Sequence, residues 1–236
     1  MRRRPVRPPV ATSEFAGFRF LPEVIMLAVC WYLRYGLSYR DVEELLAERG
    51  ITVDHVTISR WVQRFTPRFL DAAHPCRHSP GDRWFVDETQ VKVAGRWCYR
   101  YRAIDQVGQV VDVLATQQRD VAAARRFVTQ ALSHGPRPVQ VATDRAQAYL
   151  RVLDELLPAA QHVVGRYANN PIEADHGRLK ARLRPMRGLQ RLRSAAVAAA
   201  GHGFVHNVRR GHDDLAVDVA PNRRLPAAFA ELALAV

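Results

Sequence analysis

A mixed α/β sheet flanked by helices, preceded by a small all-α domain, is the fold class this sequence predicts. Three observations carry the prediction. Two amphipathic helical segments joined by a tight turn come early, three strand-like runs separated by glycine turns follow, and helical and strand-like segments then alternate.

The helical part begins with a nearly continuous apolar stretch from Pro22, at a first helical position, to Tyr35, just before Gly36. Its longest apolar run, Ile25 to Leu33, lies between Glu23 and Arg34 and is far shorter than the ~20 residues of a bilayer span, so a buried helix is expected and no membrane partner. Ser38 offers an N-cap with Asp41 as capping-box partner, ahead of Val42, Leu45 and Leu46 at helical spacing and Gly50 as terminator. Asp54 then caps a second helix in which Ile58, Trp61, Val62 and Phe65 share one face. Thr57, Arg60, Gln63 and Arg64 fall on the other face, which makes them the candidate DNA-contacting residues of a helix-turn-helix. The competing reading of such a pair is a core or dimer-interface element. Residues 74–81 are too rich in helix breakers to continue the helix, and the domain boundary is placed there.

Strand-like runs follow at 84–86, 97–104 and 110–114, with Gly95 and Gly108 marking hairpin turns. A helix over 121–132, a strand over 139–142, a helix over 147–157 and an apolar run over 162–164 complete a mixed sheet. The expected organisation is a basic tail (1–17), a helix-turn-helix domain (18–72), a catalytic core (82–190) and a basic helical extension (191–236).

Thirty-five Lys plus Arg against 23 Asp plus Glu give a net charge of +12 and a pI near 10.5, which call for a polyanionic partner, with nucleic acid first. The hydrophobic share of 48% argues against disorder throughout. Cys30, Cys76 and Cys98 form no C-x-x-C pair, so neither a zinc ribbon nor a disulfide framework is indicated and a reducing cytoplasm fits. The basic start, Met1 to Pro9, lacks the apolar segment and cleavage site of a signal peptide.

Asp87 closes the first predicted strand, Asp144 the fourth, and Glu173 opens a helix behind Asn169-Asn170-Pro171. Carboxylates from strand ends and helix starts converge readily in mixed sheets, and their hard oxygens suit magnesium or manganese. Two such ions about 3.5–4 Å apart assist in-line phosphodiester displacement. Spacing alone does not choose these three over Glu88, Asp105, Asp112 and Asp120, and solvated loop residues or caps are the competing reading.

The surrounding residues do choose. Trp84-Phe85-Val86-Asp87-Glu88-Thr89, then Val91-Lys92-Val93-x-Gly95-x-Trp97 and Tyr101-Arg102-Ala103-Ile104-Asp105, form one block. Thr143-Asp144-Arg145-x-x-Ala148-Tyr149 is a second, and Tyr167-x-Asn169-Asn170-x-Ile172-Glu173-x-Asp175-His176-x-x-Leu179-Lys180-x-Arg182-x-Arg184-Pro185 a third. With Trp31-Tyr32-Leu33, Ser38-x-Arg40-Asp41-Val42-Glu43 and Thr57-Ile58-x-Arg60-Trp61-Val62, they resemble the insertion-sequence-six family of bacterial DDE transposases over about Phe18 to Gly211.

The resemblance implies an RNase H-like core with Asp87, Asp144 and Glu173 holding two magnesium ions, which manganese would replace. It implies Lys180 as the accompanying catalytic cation, and double-stranded DNA, namely the element's inverted repeats and a target, as partner. Synapsis of two ends implies a homodimer or higher oligomer. Glu173, His176, Lys180 and Arg184 fall on one helical face at i, i+3, i+7 and i+11, so His176 and Arg184 are expected to join Lys180 at DNA phosphates. In two respects the chain departs from the pattern: the connection from Asp144 to Glu173 is shorter than in better-known members, and Gln90 replaces a usual aromatic. The rival functions are a non-catalytic helix-turn-helix regulator and an RNase H-type nuclease without strand transfer.

Other features read more plainly. Trp97, Tyr99 and Tyr101 alternate with Arg96, Arg100 and Arg102, and sheet packing is preferred over base stacking there. His202 and His206 lack the glutamate of a zinc motif, so packing or phosphate contact is expected. Arg187, Arg191, Arg193, Arg209 and Arg210 have no acidic neighbour between Asp175 and Asp213, which points to phosphates at least as strongly as to solvated charge.

Overall fold

A computed structural model describes residues 13–144, 147–165, 169–183 and 189–236. The predicted caps define the first helices. Helix α1 (Pro22–Arg34) starts on Pro22, and α2 (Tyr39–Ala47) is closed by a reciprocal capping box. In that box the Asp41 N–H donates to Ser38 Oγ at 3.1 Å and the Ser38 N–H donates to Asp41 Oδ2 at 2.8 Å. In α3 (His55–Ala73) the Asp54 carboxylate accepts from the Val56 and Thr57 N–H groups at 2.9 and 3.0 Å. Helix α3 passes through Pro67. The lost N–H bond is offset because Phe69 and Ala73, beyond the proline, are buried in the helical core.

The core sheet has five strands: β1 (Arg83–Val93), β2 (Arg96–Asp105), β3 (Val110–Thr116), β4 (Gln140–Thr143) and β5 (Gln161–Val164). Their order is β3-β2-β1-β4-β5, with β1 to β3 antiparallel and β4 and β5 parallel to β1, an RNase H-like arrangement. Ala94 and Gly95, both at positive φ (47° and 79°), make the two-residue turn that feeds Val93 into register with Arg96. Strand β1 is longer than the sequence suggested, so Asp87 lies in mid-strand instead of at its end. Helices α4 (Val121–Leu132) and α5 (Gln147–Leu156) cover one sheet face, where Trp84, Val86, Tyr101 and Val111 meet Phe127, Val152 and Leu153. On the other face lie α6 (Asn170–Leu183), through Ile172 against Ile104 and Val110, and α7 (Leu192–Arg210), through Ala195 against Val91, Val93 and Cys98.

The segment expected to be a basic extension instead completes the N-terminal domain. Val205 and Val208 of α7, with Leu225, Phe229 and Leu232 of α8 (Arg224–Ala235), share one apolar core with Ile25, Leu46, Ile58 and Phe65. Phe229 sets its ring 5.2 Å from Phe69 and 5.6 Å from Phe204. Three short helices bury too little surface alone, and α7 can approach them closely because Gly201 has no side chain: a Cβ there would stand 2.5 Å from Leu33 Cδ2. His202 is buried, as packing required, and Tyr101 packs its ring 5.7 Å from Phe127. Trp97, in contrast, is 60% exposed, while Arg100 and Arg102 are buried on the α6 side of the sheet. Among the described residues no helix is long and apolar enough to cross a membrane.

Asn207 joins the two halves. From α7 its amide accepts from the Val110 N–H at 2.8 Å and donates to the Val110 carbonyl at 3.0 Å, both buried. Asn207→Ala strands the Val110 N–H, so a loss of about 2 kcal/mol or more is expected from the shift in urea midpoint. An unchanged midpoint would show that apolar contacts alone unite sheet and helices.

Candidate active site

Strands β1 and β4 stay in register only as far as Phe85 and Ala142; β4 stops at Thr143 while β1 continues to Val93. The resulting notch in mid-sheet is where the acidic groups meet. Pleating sends Asp87 to the α6 side and Glu88 to the α4/α5 side, and Asp144 follows directly on β4. Carboxylate oxygens of Asp87, Glu88 and Asp144 lie within 4.8 Å of one another. At that separation two ionised carboxylates repel by about 3.5 kcal/mol at an effective dielectric of ~20. Burial, reinforced by Glu88, Asp144 and the more distant Glu173, pushes the Asp87 carboxyl up to about 7.

Neighbouring groups restrain this charge. The buried Tyr149 hydroxyl donates to Glu88 Oε2 at 2.5 Å, and burial together with Glu88 holds its proton tightly. Arg119, ahead of α4, pairs with Glu88 and reaches Asp144 Oδ2 at 3.4 Å, so it spans two of the three acids. Behind Asp87, His176 Nδ1 lies 3.4 Å from Oδ2. Burial, then the charges of Arg100, Arg102 and Lys180, lowers the His176 imidazole to about 3, leaving it neutral at physiological pH.

Helix α6 is fixed to the same place. The Asn169 side chain, buried, donates to the Val86 carbonyl at 3.0 Å, tying the start of α6 to β1 one residue before Asp87. Glu173 is exposed in the first turn and lies outside the close cluster. Lys180 is exposed two turns on. His176 is a correction to the expected phosphate-facing stripe: it is 6% exposed and faces Asp87. Arg184 lies outside the described residues.

On α3, Arg60 is exposed and Gln63 half-buried. The Thr57 hydroxyl is committed to the cap, donating to Asp54 Oδ2 at 2.6 Å. Arg64 is exposed but engaged, 3.2 Å from Glu14 and over the Phe18 ring at 5.2 Å. The roles of Arg119 and Tyr149 in holding Glu88 were missed by sequence reasoning. Arg119 sits in a polar connection without periodicity, whereas Tyr149 stands five residues after Asp144 in the Thr143–Tyr149 block.

Residues 81–212 match a family model described as a DDE domain. The transposase for insertion sequence-like element IS431mec of Staphylococcus aureus is 37% identical over 175 residues, covering 72% of this chain and 78% of that protein. The Staphylococcus aureus transposase for insertion sequence element IS257 in transposon Tn4003 is similar to the same extent, 37% over 175 residues. Among solved structures, a chain of the simian T-cell lymphotropic virus intasome in complex with PP2A regulatory subunit B56 gamma is 16% identical, with a TM-score of 0.41 over 66% of this chain and 63% of that one. The HTLV-2 integrase catalytic core domain in complex with magnesium (trimeric form) is 16% identical, with a TM-score of 0.36 over 66% and 84%.

The crowded site sets a pH dependence. Unfolded, Asp87 titrates near pH ~3.9, whereas in the folded, metal-free chain it titrates at about 7. Between these values the folded state keeps a proton that the unfolded state has lost, so stability falls as pH rises through the window and stays lowered above it. With a chelator present, Asp87→Asn is therefore expected to melt above the wild type at pH 8 and to converge with it near pH 4. Equal melting midpoints at both pH values would contradict the burial and crowding of Asp87.

Proposed function

We propose a reaction for this chain on the premise of its family: it belongs to the DDE transposases of the insertion-sequence-six family. It binds the inverted repeats at the ends of a mobile element, nicks to free a 3′-hydroxyl, and joins that end to target DNA. The single observation that carries this reading is the convergence of Asp87 and Asp144, with Glu88, at the β1/β4 notch. Their fit to a divalent cation rests on donor chemistry: clustered hard oxygens, with the Asp87 carboxyl pushed up by burial and by the neighbouring carboxylates, whose repulsion a cation would relieve. Asp87, Asp144 and Glu173 are assigned as the ligands of two magnesium ions, with manganese as a substitute. Such ions activate an attacking oxygen and stabilise a leaving oxygen when bound.

The chain's own residues do the positioning. Mid-strand placement fixes the Asp87 backbone, and the neutral His176 borders its carboxylate without neutralising it. Asn169 holds α6 so that Glu173 opens the helix beside the notch. Glu88 is occupied by Tyr149 and Arg119 and serves as a restrained neighbour more than as a ligand. Lys180, about 10.5 Å along the helix axis from Glu173, holds the phosphate next to the one attacked. Residues 18–72 bind the element end, with Arg60 and Arg64 outward and Gln63 half-buried between them, and residues 82–190 form the catalytic core. Two ends brought together require at least a dimer, acting on DNA in the cytoplasm.

Incubating the protein with a labelled element end, target DNA and magnesium tests the reading. Asp87→Asn, Asp144→Asn and Glu173→Gln should each lower strand transfer by several kcal/mol of transition-state stabilisation, on the order of a thousand-fold in rate, with end binding kept. Glu88→Gln should retain most activity; a loss as deep as that of Glu173→Gln would move the third ligand to Glu88. No product from the wild type would indicate a regulator, and cleavage without joining a simple nuclease. Lys180→Ala should weaken transfer strongly while calorimetric binding of manganese survives, and Lys180→Arg should recover part of the activity. Normal transfer by the alanine variant would remove Lys180 from the mechanism.

A further inference from the structure

A groove of about 1480 Å³ runs between the outer side of α2 and α3 and the chain entering α7. Arg40, Arg60, Arg64, Arg68, Arg191 and Arg193 line it, so its cations come from the helix-turn-helix on one side and from the segment leaving α6 on the other. Asp41 and Glu44 also border it, but Asp41 is occupied in the α2 capping box. Glu14 pairs with Arg64 and Arg68 at 3.2 and 3.3 Å. Arg40, Arg60, Arg191 and Arg193 are all exposed, and none has a carboxylate partner among the described residues. We propose that this groove is a composite site for duplex DNA, in which Arg191 and Arg193 hold phosphates of the same duplex that α3 contacts.

The proposal deepens the reading of the chain as a DNA-processing enzyme and rests on it. Four guanidinium groups with no carboxylate partner among the described residues, set in one groove, suit a polyanion better than a single small anion. The two walls differ as a duplex requires. The α3 wall sets the Ser59 hydroxyl beside Arg60, groups able to read base edges, whereas the α7 wall offers charge for phosphates. No side chain caps α7, so its first N–H groups add to the positive end facing that wall.

The α7 wall is also fixed to the catalytic strand. Leu189 bridges Val93 at the end of β1, its carbonyl accepts the Ala94 N–H at 2.7 Å, and Leu192 and Ala195 pack with Val91, Val93 and Cys98. Asp87 lies six residues back along β1, or about 20 Å at ~3.3 Å per residue. That is the length of roughly six base pairs. Phosphates held by Arg191 and Arg193 would therefore set the register of the bound end against the carboxylates.

Binding of the full chain to fluorescent duplexes, one carrying the element's end and one scrambled, across a salt series tests the proposal. The Arg191→Ala/Arg193→Ala variant should weaken both duplexes by the same factor, leave their affinity ratio unchanged, and flatten the slope of log K against log salt by about 1.8, or ~0.9 per phosphate contact. Arg191→Lys/Arg193→Lys should restore most of the slope, which a folding defect would not. An unchanged slope in the alanine variant while the wild type binds overturns the groove alone, as does failure of the lysine pair to rescue. Tighter binding of polyglutamate than of duplex overturns the choice of occupant. A wild type that binds neither duplex overturns both the groove and the DNA-processing reading. A flattened slope in a chain that performs no strand transfer upholds the groove and removes the reaction.

Discussion

The crowding of buried carboxylates into the notch where β1 outruns β4 is the constraint that the surrounding side chains answer. A sheet places side chains rigidly but alternates their direction, so Asp87 and Glu88 leave one strand on opposite sides and still converge with Asp144 where the neighbouring strand ends. Holding that arrangement without a cation is unfavourable, and the protein limits the cost locally. Arg119 spans Glu88 and Asp144, Tyr149 donates to Glu88, and Asp87 keeps its proton to about pH 7. Such tension, maintained by surrounding packing, is common where function and stability pull apart.

The second constraint is connection. Helices α7 and α8 return from the sheet to complete the core of the N-terminal helices, and the same α7 packs on the β1–β2 hairpin and is bonded to β3 through Asn207. The N-terminal helices and the sheet are therefore joined through one continuous helix.

Features set by local chemistry were legible in the sequence. The Ser38–Asp41 box, the Asp54 cap, the Ala94-Gly95 turn and most element boundaries depend on neighbours in the chain. Features set by tertiary packing were not. Strand β1 seemed to stop near Asp87 because Asp87-Glu88-Thr89-Gln90 has no apolar alternation, yet pairing with β2 carries it to Val93. Ala-rich α7 seemed a basic extension because small residues give a weak amphipathic signal, although Gly201 is what lets it enter the core. His176 shares a helical face with Glu173 and Lys180, but periodicity does not tell whether a face meets solvent or the sheet. The choice of Asp87, Asp144 and Glu173 among many acids came from family resemblance; the geometry adds Glu88 as a close neighbour.

Titrating manganese into the metal-free protein, followed by electron paramagnetic resonance of the free ion, tests whether the crowded carboxylates form a cation site built around Asp87. Saturable binding that rises to two ions per chain and is lost in Asp87→Asn is the predicted result. Absence of saturable binding in the wild type, or unchanged binding in the Asp87→Asn variant, would contradict it.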